Sequence, residues 1–151
     1  MIEKYYLFSL LNSREAALIE KRLFLKAYEA GTMIFEEGEV ADAFFIIQKG
    51  EVEIFRYIRE KPVQTVMTLK TGDFFGEVGI IDSKGRFANA RAKTDLELLV
   101  LLRSDFERIL GDHKKIRYKI YRSFIREMVI RLRRSDEAFK AFFKEVLHRD
   151  Q

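Results

Sequence analysis

The sequence contains no cysteine and no tryptophan, one proline and two histidines among its 151 residues. Without cysteine the chain cannot form disulfides, thiolate metal sites, iron-sulfur clusters or a thiol nucleophile. His113 and His148 are too far apart along the chain for a metal-binding pair, and we expect both to be surface residues of helices. A G-x-S-x-G elbow, a Walker loop and a G-x-G-x-x-G fingerprint are also missing. These absences predict a protein that is not an enzyme and holds no metal or cofactor.

Long apolar runs are absent too. No stretch approaches the roughly 18 consecutive apolar residues of a membrane-spanning helix, and the N-terminal segment lacks the basic and apolar regions of an export signal. We therefore expect a cytoplasmic protein that does not contact a membrane. Hydrophobic residues make up 48% of the chain and aromatic residues 13%. This composition and length predict one folded domain with a single core.

The formal charge of +4 is unevenly distributed along the chain. Residues 111–151 contain 12 Lys/Arg against 6 Asp/Glu, whereas residues 1–110 contain 16 basic and 18 acidic residues. The basic side chains are spread around a predicted helix, which favours a solvated face over a footprint on DNA phosphates. Too few residues follow that helix for a DNA-recognition domain. We expect no specific binding to DNA.

Seven of the eight glycines fall between residues 31 and 85, among short runs of β-branched and aromatic residues. Glycines spaced between such runs predict an all-β segment of short strands and turns. The predicted strands are residues 33–35, 44–48, 52–58, 63–69, 88–92 and 97–102. The junction at Gly50 predicts a hairpin between two of them.

Helical patterns flank the β segment on both sides. Residues 12–15 (Asn-Ser-Arg-Glu) and residues 104–107 (Ser-Asp-Phe-Glu) each predict a capping box at a helix start. After Gly111, apolar residues recur every four positions and have a second stripe beside them, which predicts a long helix with a broad apolar face. The first stripe is Ile116, Ile120, Phe124, Met128 and Leu132, and the second is Tyr121, Ile125 and Val129.

Beyond the long helix, Ser135 begins a Ser-Asp-Glu sequence that is suited to capping a further helical segment. Its apolar positions follow helical spacing: Phe139, Phe142, Phe143, Val146 and Leu147. The pattern leaves open whether this segment continues the long helix or bends away. We divide the chain into residues 1–110, a β-roll with N-terminal helices, and residues 111–151, a C-terminal helical segment.

The segment from residue 69 to residue 94 combines glycines with one acid and one base that suit a ligand. Gly76 allows the backbone to approach a bound group closely, and a short helix after it would present free N–H groups to an anion. Nine residues after Glu77, Arg86 carries a guanidinium that suits phosphate oxygens, while the Glu77 carboxylate suits a sugar hydroxyl. The alternative is a surface hairpin on which both side chains are solvated.

A family resemblance strengthens the first interpretation. Residues 75–80 (Phe-Gly-Glu-Val-Gly-Ile), 86–88 (Arg-Phe-Ala) and 91–94 (Arg-Ala-Lys-Thr) resemble the phosphate-binding cassette of the cyclic nucleotide-binding domain family. Residues 31–38 and 43–55 are similar to the opening strands of that domain, as found in the catabolite activator protein and the regulatory subunits of cyclic AMP-dependent kinase. The resemblance implies a mainly β fold with flanking helices: a double-wound, eight-stranded β-roll followed by a long C-terminal α-helix.

The resemblance also implies a set of ligand-binding residues: Gly76, Glu77, Val78, Arg86, Phe87, Ala88 and Ser135. It assigns the ribose 2′-hydroxyl to Glu77, an equatorial phosphate oxygen to Arg86, and further phosphate contacts to the N–H groups near Gly76 and Ala88. Phe87 departs from the family, because many relatives carry a small or hydroxyl residue there that can contact phosphate or guanine. Phe87 thus argues mildly against cyclic GMP, or else it is a core residue.

Ser135, with Asp136, is placed by the resemblance where the family contacts the nucleotide base. The alternative is that Ser135 only caps a following helix.

Together these observations predict a regulatory module that binds a cyclic nucleotide, with cyclic AMP preferred over cyclic GMP, and shifts its C-terminal helices on binding. The alternative is a degenerate domain of the same fold that has lost the ligand and acts as a scaffold. In either case we expect a homodimer joined along residues 114–134, because one apolar stripe can cover the roll and the other can pair with a second copy. The effector protein on which the module acts is unknown.

Overall fold

A computed structural model describes residues 1–58 and 61–149; the side chains of residues 58, 61–65, 142, 143 and 146–149 lie outside the described set. Two short 3-10 helices, Ile2–Lys4 and Tyr6–Phe8, open the chain. The α-helices are α1 (Ser13–Glu20), α2 (Val78–Asp82), α3 (Arg103–Asp112) and α4 (Lys114–Arg149). The strands are β1 (Phe24–Tyr28), β2 (Met33–Phe35), β3 (Ala43–Lys49), β4 (Glu51–Ile58), β5 (Lys61–Lys70), β6 (Phe74–Phe75), β7 (Asn89–Ala92) and β8 (Leu96–Leu102).

The strands form two four-stranded antiparallel sheets, with the orders β1-β8-β3-β6 and β2-β7-β4-β5. This arrangement confirms the predicted eight-stranded roll with helices at both ends. Two strands, β1 and β6, were not among those predicted from the sequence. In β1 four of the five residues are exposed, so burial does not alternate, and β6 has only two residues. Neither strand carries the period-two pattern that reveals a half-buried strand.

The predicted hairpin at Gly50 is wrong. The strands on either side of Gly50 belong to different sheets, because β3 pairs with β6 and β8 whereas β4 pairs with β5 and β7. Gly50 has φ of 98°, and a Cβ atom there would lie 2.3 Å from the Asp95 carbonyl oxygen. Glycine therefore lets the chain cross from one sheet to the other against the β7–β8 turn.

The two predicted capping boxes had different outcomes. The box at Asn12 is confirmed: its side chain accepts a hydrogen bond from the Glu15 N–H, and the Glu15 side chain accepts one from the Asn12 N–H. The box at Ser104 is wrong, because α3 begins one residue earlier and has Leu102 at its N-cap, without a side-chain cap. Glu107 instead accepts a hydrogen bond of 2.6 Å from Arg103 one turn before it.

Helix α4 runs without interruption for 36 residues, so the predicted long helix and the further helical segment are one element. Ser135 therefore caps nothing, and the capping alternative for this residue is wrong. The stretch contains neither glycine nor proline, which are the residues that most often end a helix. Of the apolar residues predicted beyond Ser135, Phe139 is 61% exposed. The side chains of Phe142, Phe143, Val146 and Leu147 lie outside the described residues, as does that of His148.

Buried apolar residues form two clusters, one on each face of the first sheet. One cluster lies between the sheets and includes Phe35, Phe45 and Phe75. The other joins the N-terminal helices, α3 and the start of α4, where Phe124 contacts the rings of Phe44 and Phe106. The first half of α4 is thus part of the core. Among the helices described, none is long and apolar enough to span a membrane.

Candidate ligand-binding site

The cassette begins where β6 ends and the chain turns sharply at Gly76. Gly76 has φ of 86°, and a Cβ atom on it would lie 2.8 Å from Arg86 Nη1 and 3.2 Å from the Phe45 ring. Only glycine fits both this backbone conformation and this close approach. Glu77 follows at once, and Val78 is the first residue of α2. The turn at Gly76 therefore places Glu77 beside the segment to which Arg86 returns.

Arg86 is buried, with 4% of its surface exposed. Its Nη1 donates to the Gly76 carbonyl and its Nη2 to the Ala43 carbonyl, both at 2.7 Å. The guanidinium carbon lies 4.2 Å from the centre of the Phe35 ring. Burial lowers the pKa of Arg86, and the nearby carboxylate of Asp42, 3.5 Å from Nη2, opposes that shift. The Nε atom is buried and has no hydrogen-bond partner in the described part of the chain, so the cation keeps one free donor.

Glu77 is the second buried ionisable residue of the cassette and is 1% exposed. One carboxylate oxygen, Oε1, accepts a hydrogen bond of 3.1 Å from Arg131 Nη1. The other, Oε2, is buried and has no partner among the described residues. Burial raises the pKa of Glu77, and the charge of Arg131 only partly opposes this effect. An unpaired buried acceptor is unfavourable and suits a hydroxyl donor supplied by a ligand.

Arg131 is the site residue that sequence reasoning missed. It was grouped with the basic residues of a solvated helix face, yet its side chain is only 13% exposed. Besides Glu77, it donates to Glu127 at 2.9 Å, and its guanidinium lies 5.0 Å from the centre of the Phe74 ring. No local pattern distinguishes Arg131 from its basic neighbours. Its one sequence signal was its position one turn before Ser135.

The remaining predicted site residues lie in different environments. Ala88 is fully buried, whereas Phe87 is 41% exposed, so the alternative that Phe87 is a core residue is wrong. Val78 is half-buried at the start of α2. Ser135 is exposed on α4, one turn beyond Arg131. The structure therefore brings Gly76, Glu77, Val78, Arg86 and Ala88 together, and the solvated-hairpin alternative for the cassette is wrong.

A cavity of about 260 Å³ opens beside Arg86. Its wall is built from strands β1, β2, β3 and β8 together with the loop before β3, and Glu39 and Asp42 contribute carboxylates. Glu77 does not line this cavity. The guanidinium thus borders open space, while the carboxylate is enclosed beneath Arg131.

Two antiparallel sheets that hold a buried cation and a buried carboxylate in one loop, beneath a long helix, define a ligand-binding β-roll. The comparisons with known proteins agree. Residues 25–113 match the sequence model of the cyclic nucleotide-binding domain. The chain belongs to this family.

Known relatives include kinase regulatory subunits and a bacterial activator. The chain is 41% identical over 110 residues to the cAMP-dependent protein kinase regulatory subunit of Aspergillus fumigatus, covering 73% of this chain and 26% of that protein. The cAMP-bound structure of PfPKA-R (141-441) superposes with a TM-score of 0.65 at 34% identity, over 72% of this chain and 38% of that one. The Thermus thermophilus catabolite activator protein gives a TM-score of 0.75 at 27% identity, over 91% of this chain and 62% of that one. The chain thus spans about a quarter of the length of the fungal regulatory subunit.

Proposed function

We propose that the protein binds a cyclic purine nucleotide, cyclic AMP in preference to cyclic GMP, and that it regulates a partner rather than catalysing a reaction. The observation that carries this proposal is the pair of buried, opposite charges in the cassette, each with one unsatisfied polar atom. These atoms are Arg86 Nε and Glu77 Oε2. A ligand that has both an anionic group and hydroxyls satisfies the two together. The cAMP-bound relative supports the choice of nucleotide.

In this proposal the cyclic phosphate lies against Arg86 and against the N–H groups near Gly76 and Ala88, and the ribose 2′-hydroxyl donates to Glu77. Hydrogen bonds to charged groups contribute about 1.5–3 kcal/mol each. The alternative, a degenerate domain of the same fold that has lost the ligand, is disfavoured. It would leave a buried carboxylate oxygen without any hydrogen-bond donor.

Nucleotide binding acts on α4 through Arg131. The ribose hydroxyl donates to the Glu77 carboxylate, which already accepts a hydrogen bond from Arg131. The ligand therefore changes the balance of contacts between the cassette and the second half of α4. We expect Ser135, one turn further along, to contact the base. The effector is a protein, and the regulatory-subunit relatives favour a protein kinase.

Calorimetry with cyclic AMP and cyclic GMP tests the proposal. We expect binding of both nucleotides, with cyclic AMP the tighter. Arg86→Ala should weaken binding by about 2–5 kcal/mol, which is typical when one partner of a buried charged contact is removed. Because Arg86 also donates to the Gly76 and Ala43 carbonyls, thermal unfolding of Arg86→Ala and Arg86→Lys must accompany the titrations. If neither nucleotide gives heat or a thermal shift at millimolar concentration, the protein is a scaffold.

We also propose that the protein forms a homodimer along residues 114–134. The second apolar stripe of α4 is exposed: Tyr121 at 44%, Ile125 at 64% and Val129 at 45%, with Leu132 at 70%. These side chains and Ile81 border an apolar groove of about 520 Å³. A contiguous exposed apolar surface marks an interaction site, and a twofold copy is the commonest partner.

Light scattering at high micromolar concentration tests the dimer. Ile125→Glu should give folded monomers. Phe139→Glu, an exposed apolar position beyond the proposed interface, is the control and should remain dimeric. A monomeric unsubstituted protein, with and without nucleotide, would remove this proposal.

We propose further that the protein has no specific DNA site and acts in the cytoplasm, in keeping with its kinase regulatory-subunit relatives. The basic side chains of α4 permit only a weak, sequence-independent attraction to DNA. Any retardation of duplex DNA on a gel should vanish as salt is raised. A footprint on a defined palindrome would contradict this part of the proposal.

A further inference from the structure

Arg56, near the end of β4, contacts the segment that follows Arg86. Its Nε and Nη2 both donate to the Phe87 carbonyl oxygen, at 2.9 and 2.6 Å. The guanidinium carbon also lies 5.5 Å from the centre of the Phe87 ring. Arg56 and Phe87 are both exposed. One arginine thus holds both the backbone and the side chain of a single cassette residue.

The contact lies where the pairing between β4 and β7 stops. The two strands pair from Val52 opposite Ala92 to Phe55 opposite Asn89. Arg56 is the next residue along β4, and its side chain supplies the hydrogen bonds to Phe87 that the backbone ladder no longer makes. The preceding residue is held from the other side, because the Arg86 carbonyl accepts from the Gly38 N–H at 2.9 Å.

The contact determines the direction of an N–H group in the site. A trans peptide is planar, and its carbonyl and N–H groups point in opposite directions. Because the Arg56 guanidinium binds the Phe87 carbonyl oxygen, the Ala88 N–H of the same peptide points away from that guanidinium. The contact with Arg56 therefore fixes the direction of an N–H group to which the proposed function assigns a phosphate contact.

We infer that Arg56 is a positioning residue of the anion site: it orients the Phe87–Ala88 peptide and contacts the Phe87 ring. The inference rests on the proposed function for the identity of the anion. Arg56 itself stays outside the binding site and touches no ligand. Its effect is on the phosphate contact, which cyclic AMP and cyclic GMP share.

Calorimetry on matched variants tests this role. Arg56→Ala should weaken the binding of cyclic AMP and of cyclic GMP by the same factor, about tenfold, as expected for the loss of one hydrogen-bonded contact to a ligand group. Arg56→Lys keeps the charge but not the planar guanidinium that donates two hydrogen bonds to one oxygen, and it should weaken binding nearly as much. An affinity equal to that of the unsubstituted protein would overturn the inference. So would full recovery with lysine, which would assign the effect to charge, or an altered ratio between the nucleotides, which would indicate a contact to the base.

The chain offers a control outside the cassette in Arg22, which follows α1. Its Nη1 donates to Asp105 Oδ1 of α3 at 2.7 Å. Arg22→Ala removes the same charge and a side-chain hydrogen bond, but this bond is to α3 and not to the cassette. It should leave both affinities unchanged. An equal loss in both variants would assign the effect to net charge and overturn the inference.

A measurement without ligand separates this inference from the proposed function. In nitrogen-15 spectra of the nucleotide-free protein, Arg56→Ala should move the Ala88 amide resonance and speed its hydrogen exchange, whereas Arg22→Ala should not. If the unsubstituted protein binds neither nucleotide, the proposed function fails. The measurement on the Ala88 amide then tests the positioning role of Arg56 by itself. An Ala88 amide that is unchanged in Arg56→Ala then removes the positioning role.

Discussion

Two parts of α4 carry the same apolar periodicity and yet lie in opposite environments. In the first part, residues 114–124, Ile116, Ile120 and Phe124 are at most 2% exposed. In the second part, described here by residues 125–141, Leu132 and Phe139 are 70% and 61% exposed. The first part packs against the N-terminal 3-10 helices and α3. The comparison teaches that a helical stripe shows which side chains share a face, whereas the elements opposite decide which of them are buried.

Two ion pairs between the described residues of α4 and the rest of the fold behave differently. Lys119 of the first part of α4 contacts Glu15 of α1 at 2.6 Å, and Arg131 of the second part contacts Glu77 at 3.1 Å. The hydrogen bond from Lys119 lowers the pKa of Glu15, whereas burial raises the pKa of Glu77. The first pair is a stabilising contact near the surface. The second leaves a buried carboxylate incompletely satisfied, as suits a binding site.

The largest expected effect is on packing. Phe124→Ala removes a ring that contacts Phe44, Phe74 and Phe106, and it should lower the free energy of unfolding by about 3–5 kcal/mol. Phe139→Ala, on the exposed part, should change it by less than about 0.5 kcal/mol. Urea denaturation of both variants measures the difference. Similar losses in the two variants would show that the second part of α4 is packed as tightly as the first.

The pH dependence of stability provides the second test. Because the pKa of Glu77 is raised above its ordinary value of 4.5, the native protein retains a proton between pH 4.5 and that raised pKa, while the unfolded chain has released it. The contribution of Glu77 to stability is therefore present below pH 4.5 and is lost as pH rises through this window. Glu77→Gln should remove this decline, which is at most about 1.4 kcal/mol per pH unit. Urea denaturation across pH without nucleotide measures it.

Glu15→Gln is the matched control, with the opposite sign. The pKa of Glu15 is lowered from 4.5, so its contribution to stability is present above pH 4.5 and is lost as pH falls through the folded-state pKa. The variant should lose stability at neutral pH and should show a smaller decline in acid. If both variants change the pH profile in the same direction, the contrast between the two ion pairs is wrong.

The smallest effects are expected for single lysines. Lys119→Ala breaks the contact with Glu15, where the two side chains are 28% and 14% exposed, and should cost up to about 1 kcal/mol. Lys140→Ala breaks a contact with Asp136, where they are 69% and 56% exposed, and should cost no more than about 0.3 kcal/mol. Thermal unfolding at low and high salt measures both. A larger loss of stability for Lys140→Ala than for Lys119→Ala would contradict this expectation for the two parts of α4.

Much of the fold was predictable because its signals are local. The glycines between residues 31 and 85, the capping box at Asn12 and the helical stripe after Gly111 each reflect backbone or side-chain preferences over a few residues. The cassette residues Glu77 and Arg86 were found through their resemblance to a known family. The hairpin at Gly50 was predicted wrongly, because two adjacent strands look alike in sequence whether they pair with each other or with distant strands.

The sequence by itself determined the all-β segment and the two apolar stripes of α4, since each depends on residue types at short spacing. The roll and the position of the cassette were expected from the resemblance to a known family. Only the tertiary structure decided which of several basic residues on α4 reaches Glu77, and which arginine of the second sheet holds the cassette backbone. Arg131 and Arg56 lie 54 and 31 residues away from their partners in the chain. At such separations the contact is determined by how the helix and sheets pack, and helical or strand periodicity carries no information about it.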